Sequence, residues 1–301
     1  MRIVAALGGN ALLERGERPD SDIQEEHVAQ AVRALVPLAR QHDLIITHGN
    51  GPQVGLLAME SARDPALTHP YPLDVLGAQT QGMIGYWLLQ ALQNSGAGKP
   101  VACLVSRTLV SADDPAFGRP VKFVGPVYDK ARARELAAAR GWQVRQDGAA
   151  WRRVVPSPEP ADLLDLPVIT LLIGSGAIVI CAGGGGVPVT RDGAGMLHGA
   201  EAVVDKDLTA ALLARAVGAD VLMLLTDVDA VQDGYGTPQA RPICHATTSE
   251  LRSRDFPDGS MGPKIEAVCR FVETTGRMAV IGRLNDADAM AHGKAGTVVT
   301  A

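Results

Sequence analysis

Three glycine-rich turns, each placed after a short apolar run, are the first features of this sequence that could perform chemistry. Residues 3–7 lead into Gly8 and Gly9, residues 44–47 into Gly49, Asn50 and Gly51, and residues 178–181 into the four glycines at 183–186. Glycine lets the backbone approach a phosphate closely and point successive N–H groups at it. One glycine pair after a strand is more often simple turn geometry, but three such turns together predict an anion site.

Lysine usage gives a second signal. Of 28 basic residues only six are lysines, at positions 99, 122, 130, 206, 264 and 294. A compact ammonium on a flexible stem can follow a phosphoryl group in transit, where a planar guanidinium often cannot replace it. Lys206, between Asp205 and Asp207, and Lys264, at the start of a predicted helix, are the best candidates. A surface ion pair and a solvated helix start are the alternatives.

Other common signatures are absent from the sequence. It contains no G-x-x-x-x-G-K-[ST], which excludes a P-loop enzyme, and the glycines at 183–186 do not complete G-x-G-x-x-G, so a dinucleotide site is unsupported. No H-E-x-x-H, H-R-D or G-x-S-x-G occurs, and the seven histidines lack metal-ligand spacing. We therefore expect no metal site built by protein side chains.

A regular scaffold must position these turns. The recurring unit of apolar run, glycine turn and amphipathic segment is typical of a parallel α/β sheet. Apolar residues between 28 and 39 repeat at helical spacing despite Pro37, and 73–92 are predicted to form a long buried helix. Further predicted helices cover 207–217 and 263–274, and further strands cover 221–225, 278–281 and 297–300. Ligands of such sheets bind beyond the carboxyl ends of the strands, where the three turns should converge.

The stretch from about 107 to 160 differs from the rest of the chain. It mixes prolines, charges and short apolar runs without a clean period. About fifty residues is too long for an ordinary connector. We predict a protruding lid subdomain at 107–160, inserted within a single domain that spans residues 1–301, with a long surface excursion as the alternative.

Composition limits the partners. A net charge of −5 leaves no basic excess for a nucleic-acid backbone. The four cysteines form no C-x-x-C pair and lie mostly among apolar residues, which is typical of reduced thiols. Residues 166–190 carry no charge, but six glycines and two prolines favour a short helix and a buried strand over a membrane span. We expect a cytoplasmic protein without nucleic-acid or membrane partners.

Six longer motifs contain these turns and lysines. They are AALGGNA at 5–11, THGNGPQVG at 47–55, TQGMIGYW at 80–87, WRRVVPSP at 151–158, DKD at 205–207 and GSMGPKIEA at 259–267. Together they closely resemble the carbamate kinase family of the amino-acid kinase superfamily. The likeness extends from the first predicted strand to GTVVT at 296–300.

The resemblance implies a fold and a reaction. The fold is α/β, a three-layer αβα sandwich around a mostly parallel central sheet, with a small subdomain protruding over the active site, in a homodimer. The reaction is reversible, ATP + carbamate = ADP + carbamoyl phosphate. ATP or ADP is a substrate, and Mg²⁺ is expected to be bound mainly through the nucleotide phosphates. The family further implies that the reaction runs toward ATP in arginine catabolism.

The resemblance also assigns site residues in three groups. The catalytic group is Lys206, Lys264, Lys122, Asp205 and Asp207. Lys206 and Lys264 match the lysines that hold the transferring phosphoryl group, and Lys122 matches the lysine of the protruding subdomain. Asp205 and Asp207 match residues that orient Lys206 and help place the nucleotide and metal. The substrate-binding loops contain Gly8, Gly9, Asn10, Gly49, Asn50 and Gly51. The nucleotide-binding group is Gly183, Gly184, Thr226, Asp227, Val228, Tyr235, Met261 and Lys264.

Two positions depart from common patterns. Many relatives across the superfamily carry a lysine just before the first glycine pair, where this chain has Ala6. Carbamate kinases look alike in this respect, and Lys122 is the expected substitute. Phe123 follows Lys122, where the family commonly has proline.

Carbamate is already an anion, so its phosphorylation needs no general base. Lysines, Mg²⁺ and backbone N–H groups suffice. The alternative is another acyl-phosphate-forming amino-acid kinase, whose substrate needs a pocket for its carbon skeleton and usually an arginine clamp. A nucleotide-binding sensor without turnover is less favoured, because Lys206 and Lys264 are both present.

Overall fold

The computed structural model describes residues 1–14, 16–256 and 261–301, with Asn10 described through its backbone alone. The helices of the described residues are α1 Ser21–Gln41, α2 Gly51–Arg63, α3 Leu73–Asn94, α4 Lys130–Arg140, α5 Leu166–Gly174, α6 Lys206–Ala216, α7 Thr248–Arg252, α8 Met261–Thr275 and α9 Ala287–Ala291. Short 3-10 turns lie at Gly9–Ala11, Pro115–Gly118, Gly183–Gly185 and Leu284–Asp286.

The strands of the described residues are short. They are β1 Arg2–Leu7, β2 Asp43–His48, β3 Val101–Cys103, β4 Arg107–Leu109, β5 Lys122–Tyr128, β6 Gln143–Asp147, β7 Ala150–Val155, β8 Asp162–Leu163, β9 Ile178–Ile180, β10 Val187–Arg191, β11 Leu197–Gly199, β12 Val221–Thr226, β13 Gln232–Asp233, β14 Arg241–Pro242, β15 His245–Thr247, β16 Met278–Arg283 and β17 Thr297–Thr300.

The main sheet has the strand order β15-β17-β16-β12-β1-β2-β9-β3. Its pairs are parallel except for β16 with β17. Side chains alternate across it, so that Ile3, Ala5 and Leu7 face one apolar core and Val4 and Ala6 face the other.

Helices cover both faces of this sheet. One core is shared with α1, α3 and α9, and the other with α5, α6, α7 and α8. The expected three-layer αβα sandwich is confirmed. Residues 166–190 begin with α5, turn, and enter the buried strand β9, as the glycines and prolines predicted.

Two further sheets lie outside the main one. The first has the order β11-β10-β4-β8, in which Arg107–Leu109 pair with residues 187–189. The second, called here the small sheet, has the antiparallel order β5-β7-β6 and packs against α4. Its strand β5 also packs against α2. None of the helices in the described part of the chain combines the length and apolarity of a membrane span.

Candidate active site

The first two glycine turns meet where β1 and β2 end. Gly49 donates its N–H to the carbonyl oxygen of Leu7 at 2.9 Å, and Gly8 donates to Leu225 at 2.9 Å. A Cβ atom on Gly49 would lie only 2.9 Å from the backbone nitrogen of Gly9. The absence of side chains therefore lets the two loops touch backbone to backbone. Asn10 follows in the 3-10 turn, and its side chain lies outside the described structure.

The third glycine turn packs on the second. A Cβ atom on Gly183 would lie 2.3 Å from Nε2 of His48, and one on Gly184 would lie 2.2 Å from Nδ2 of Asn50. The turn begins at Ala182, whose φ of 53° is rare for a residue with a side chain. Close packing against His48 and Asn50 thus explains why positions 183 and 184 are glycine, in addition to their predicted role in nucleotide binding.

Buried hydroxyl groups hold the third turn in place. Thr47 donates to the carbonyl of Ala182 at 2.8 Å, and Thr108 donates to that of Gly185 at 2.7 Å. On the second turn, Asn50 donates its side-chain amide to Thr80 of α3 at 2.8 Å. These hydrogen bonds tie the third turn to β2 and β4 and the second turn to α3.

Lys206, Asp207 and Lys264 form the charged centre beside these loops. Asp207 lies 3.1 Å from the Nζ of Lys206 and 2.7 Å from that of Lys264, one oxygen to each. The contact at 3.1 Å is an ion pair without hydrogen-bond geometry. Lys206 instead donates to the carbonyl of Leu7 at 2.9 Å, at the carboxyl end of β1. Two ammonium groups are thus held next to the first glycine turn.

Burial and charge set the protonation of this centre. Burial lowers the pKa of Lys206, and Asp207 opposes that effect. Burial also acts to lower the pKa of Lys264, but Asp207, together with Asp205 and Asp227, outweighs it, so that the pKa is raised. Burial would raise the pKa of Asp207, but the two ammonium groups hold it well below its ordinary value. The ionised carboxylate of Asp207 therefore favours the protonated, positively charged forms of Lys206 and Lys264 at neutral pH.

Asp205 organises the start of α6 and binds Lys122. Its Oδ1 accepts the backbone N–H groups of Asp207 and Leu208 at 2.9 and 3.2 Å, which caps the helix. Its Oδ2 accepts from Lys122 Nζ at 2.5 Å. The small sheet therefore brings the third predicted lysine to the same helix N-terminus as the other two.

The remaining predicted nucleotide residues lie at and beyond the end of β12. Thr226 donates to the carboxylate of Asp227 at 3.0 Å, and the charge of Asp227 is one of the groups that favour the protonated form of Lys264. Val228 follows directly, and Tyr235 lies in the hairpin between β13 and β14 with 70% of its surface exposed. Met261 begins α8, whereas Gly259 and Ser260 of the same motif lie outside the described residues.

His48 was not among the predicted site residues. It is 1% exposed at the end of β2, and its Nδ1 lies 2.9 Å from the carbonyl oxygen of Gly49. Burial is the main reason why its pKa falls to about 4, and the charge of Lys206 adds to the effect. The imidazole ring of His48 is therefore neutral at neutral pH, and it contacts the backbone of the second turn at Gly49. Its place between a buried strand and a glycine turn was a sequence signal that could have identified it.

The carboxylates at this centre are already bound to cations or N–H groups. Among the described residues, no three His, Cys, Asp or Glu side chains lie together as metal ligands would. The arrangement can hold an anion with several negative oxygens between three ammonium groups and the backbone N–H groups of the glycine turns. It offers charge neutralisation and fixed geometry, which are the requirements of phosphoryl transfer.

The whole chain is similar to several known proteins. A model of the amino acid kinase family matches residues 1–283. Carbamate kinase from Escherichia coli (strain K12) is 52% identical over 298 residues, which cover 99% of each chain. Carbamate kinase from Rhizobium meliloti (strain 1021) is 50% identical over 304 residues, covering 100% of this chain and 93% of the relative.

A solved structure is also similar. Carbamate kinase from Giardia lamblia bound to AMP-PNP superimposes with a TM-score of 0.90 at 37% identity, covering 99% of this chain and 98% of the other.

Proposed function

We propose that this chain, which belongs to the amino acid kinase family and within it to the carbamate kinases, catalyses reversible phosphoryl transfer between ATP and carbamate. The products are ADP and carbamoyl phosphate. In the forward direction a carbamate oxygen forms a bond to the γ-phosphorus as the bond from that phosphorus to the β,γ-bridging oxygen breaks. No proton needs to be removed from the nucleophile, because carbamate is an anion.

The observation that carries this proposal is the pair of lysines on Asp207. Lys206 is anchored to Leu7, and Lys264 is anchored to Asp207 at 2.7 Å, so both ammonium groups are fixed in advance. Charge that spreads over the oxygens of the transferring group would meet these cations without reorganisation of the site. The same two lysines repel each other less because Asp207 lies between them.

We propose that the turns of Gly8, Gly9, Gly49 and Gly51 bind the carbamate and phosphoryl oxygens. The N–H groups of Gly8 and Gly49 donate to Leu225 and Leu7, so these two residues would hold the turns together while Gly9 and Gly51 offer their backbone N–H groups to the ligand. The close backbone contact between the two turns supports a single binding place. Asn10 and Asn50 belong to the same proposal. Lys122 is the third cation, and its position depends on the small sheet.

We propose that the nucleotide lies beyond β12, near Thr226, Asp227, Val228, Tyr235, Met261 and the turn at Gly183 and Gly184. The Giardia lamblia relative is described as bound to AMP-PNP, an ATP analogue. The carboxylates of Asp205 and Asp207 are occupied by lysines and N–H groups, which favours Mg²⁺ held through the nucleotide phosphates. When bound, Mg²⁺ would neutralise part of the phosphate charge.

We propose a homodimer formed at the β3 edge of the main sheet. Among the described residues β3 is the last strand of the sheet, so its outer backbone groups face no further strand there. Large exposed apolar side chains follow β3 or lie on α5, which packs against the neighbouring strand β9; they are Val105 at 54%, Val168 at 49% and Leu171 at 72%. Light scattering of the purified protein measures the oligomeric state, and a monomer would contradict this part of the proposal.

We expect a cytoplasmic enzyme that makes ATP from ADP and carbamoyl phosphate more readily than it runs the reverse reaction, as in the last step of arginine breakdown. Carbamoyl phosphate is a mixed anhydride with a good leaving group, whereas carbamate is a short-lived nucleophile. The enzyme lowers one barrier that both directions share.

The decisive experiment follows ATP formation from ADP, carbamoyl phosphate and Mg²⁺, and compares it with initial rates in the reverse direction. Acetylglutamate and aspartate replace carbamate in parallel reactions. The proposal is supported if ADP and carbamoyl phosphate yield ATP while acetylglutamate and aspartate are not phosphorylated. Phosphorylation of an amino-acid substrate without any use of carbamoyl phosphate would instead support the alternative acyl-phosphate-forming kinase.

A further inference from the structure

Residues 201–205, called here the seam, begin with a bend at Glu201 and lead directly into the N-terminus of α6. The contacts of their side chains alternate between two neighbouring parts of the protein. Ala202 and Val204 pack with Val110 in a small apolar cluster. The other three side chains of the seam, those of Glu201, Val203 and Asp205, all lie toward the small sheet.

Three successive contacts join the seam to the small sheet and to Pro156, which follows β7. Arg153 Nη2 lies 3.3 Å from Glu201 Oε1. Val203 donates its N–H to the carbonyl of Pro156 at 3.0 Å, and its side chain packs against the apolar cluster that contains Val124 and Val155. Lys122 completes the series on Asp205 at 2.5 Å. The small sheet is therefore attached at both ends of the seam.

The carboxylate of Glu201 also binds the main body. Its Oε2 accepts the N–H of Leu73 at 2.8 Å, the first residue of α3. The residue before it, Pro72, has no side-chain acceptor with which to cap the helix, so Glu201 supplies one. A negative group is stabilised at a helix N-terminus. Glu201 thus links a fixed helix to Arg153 of the small sheet.

Arg153 and Lys122 share one face of the small sheet. In the antiparallel pair β5–β7, Arg153 lies opposite Val124, and Val155 lies opposite Lys122. Directly opposed residues point to the same side, as do residues two apart in one strand. A shift of Arg153 therefore moves the face that carries Lys122. Arg152 points to the other side, where its guanidinium lies over the Phe123 ring.

We propose that Glu201 is a positioning residue for Lys122, and that it acts by holding Arg153 and thereby fixing the small sheet against the N-terminus of α6. The proposal rests on the catalytic role proposed for Lys122. Glu201 touches neither Lys206 nor Lys264 in the described structure. Its other bond, to the N–H of Leu73 in α3, can be kept by a substitution that removes only the charge, so the effect of that substitution should pass through Lys122.

Two variants break the link from opposite sides. Glu201→Gln keeps an oxygen for the N–H of Leu73 but removes the charge that attracts Arg153, and Arg153→Gln removes the partner. Each should lower kcat by about tenfold, since interaction free energies between residues in contact correspond to changes of this order. The KM for ADP should change less, because the proposed role of Lys122 is in the transfer step. Arg152→Gln removes an ion pair of the same length, 3.3 Å to Asp147, on the other face of the same strand. It is therefore the matched control and should keep wild-type kinetics.

A double-mutant cycle separates positioning from a general structural effect. In a Lys122→Ala background, Glu201→Gln should cause no further loss of kcat, because the residue through which it acts is already gone. If the two losses multiply, Glu201 acts independently of Lys122 and the proposal is overturned. Equal kinetics of Glu201→Gln and wild type would overturn it as well.

Hydrogen exchange gives a readout that does not depend on turnover. In Glu201→Gln, the amides of β5 and β7 should exchange about tenfold faster than in wild type, while those of β1 and β12 should be unchanged. Unchanged exchange in β5 and β7 contradicts the positioning role even if the kinetics change. If the wild-type protein makes no ATP from carbamoyl phosphate, the proposed function fails, and the exchange experiment still decides whether Glu201 holds the small sheet.

Discussion

Lys122 Nζ lies 2.5 Å from Asp205 Oδ2, although 83 residues separate the two in the chain. The same aspartate caps α6 through its other oxygen, one residue before Lys206. A single carboxylate therefore connects the small sheet with the helix that carries two residues of the candidate active site. Its two tasks can be separated by substitution.

Asp205→Asn and Asp205→Ala should differ in stability. Asparagine can still accept the N–H groups of Asp207 and Leu208 through its amide oxygen, whereas alanine cannot cap the helix. We expect Asp205→Ala to be less stable than Asp205→Asn by about 1 kcal/mol, measured by urea unfolding. Both should weaken the attachment of Lys122. Equal stability of the two variants would mean that the cap contributes nothing measurable.

Lys206→Ala and Lys264→Ala should each lower turnover by about a hundredfold or more, because removal of one transition-state contact typically has this effect. Folding should be retained in circular dichroism. The control is Lys294→Ala, since Lys294 is exposed and lies after α9. Near wild-type turnover of either site variant, in a correctly folded protein, would contradict the assignment.

His48 should make stability depend on pH. The unfolded chain binds a proton at the ordinary pKa of 6.5, but burial holds the folded pKa at about 4. Between these values the unfolded state binds more protons, so stability falls as the pH falls, by up to about 1.4 kcal/mol per pH unit. Above the ordinary pKa this contribution is constant.

The measurement is urea unfolding of wild type and His48→Gln at several pH values between about 4.5 and 7.5. The wild type should lose stability faster than the variant as the pH is lowered. Other acid-sensitive groups act in both proteins, so the difference between the two curves isolates His48. Parallel curves would exclude a neutral, buried His48.

Gly55→Ala should disturb the contact between α2 and β5. A Cβ atom at Gly55 would lie 2.2 Å from the Cα of Gly125, whose φ of +74° also requires glycine. We expect a loss of about 1–3 kcal/mol from overpacking, together with faster hydrogen exchange in β5. Gly82→Ala in α3 has open space around the added carbon and should be neutral or slightly stabilising. Equal effects of the two substitutions would contradict close packing at Gly55.

The proposed lid at 107–160 is testable by hydrogen exchange. The segment should open more readily than the main sheet and gain protection when ADP and carbamoyl phosphate bind. Because Arg107–Leu109 pair with β10, we expect the change to be concentrated in 122–155. The same protection with and without ligands would indicate a rigid subdomain.

The amino-acid sequence by itself determined the class of the fold and the main chemical groups. Apolar runs followed by glycine turns predicted a parallel sheet with loops at one edge, and the scarcity of lysine pointed to Lys206 and Lys264. Most of these signals are local. Strand periodicity, turn residues and a charged helix start can each be read from a short window of the chain. The structure brings the two lysines together on Asp207.

Only the tertiary structure decided which distant residues meet. Gly183 and Gly184 are glycines partly because His48 and Asn50 occupy the space that side chains would need. The attachment of Lys122 to Asp205, and of Arg153 to Glu201, depends on how the small sheet packs against the seam. Contacts between segments far apart in the chain leave no periodic pattern in either segment, since each depends on the packing of the whole fold.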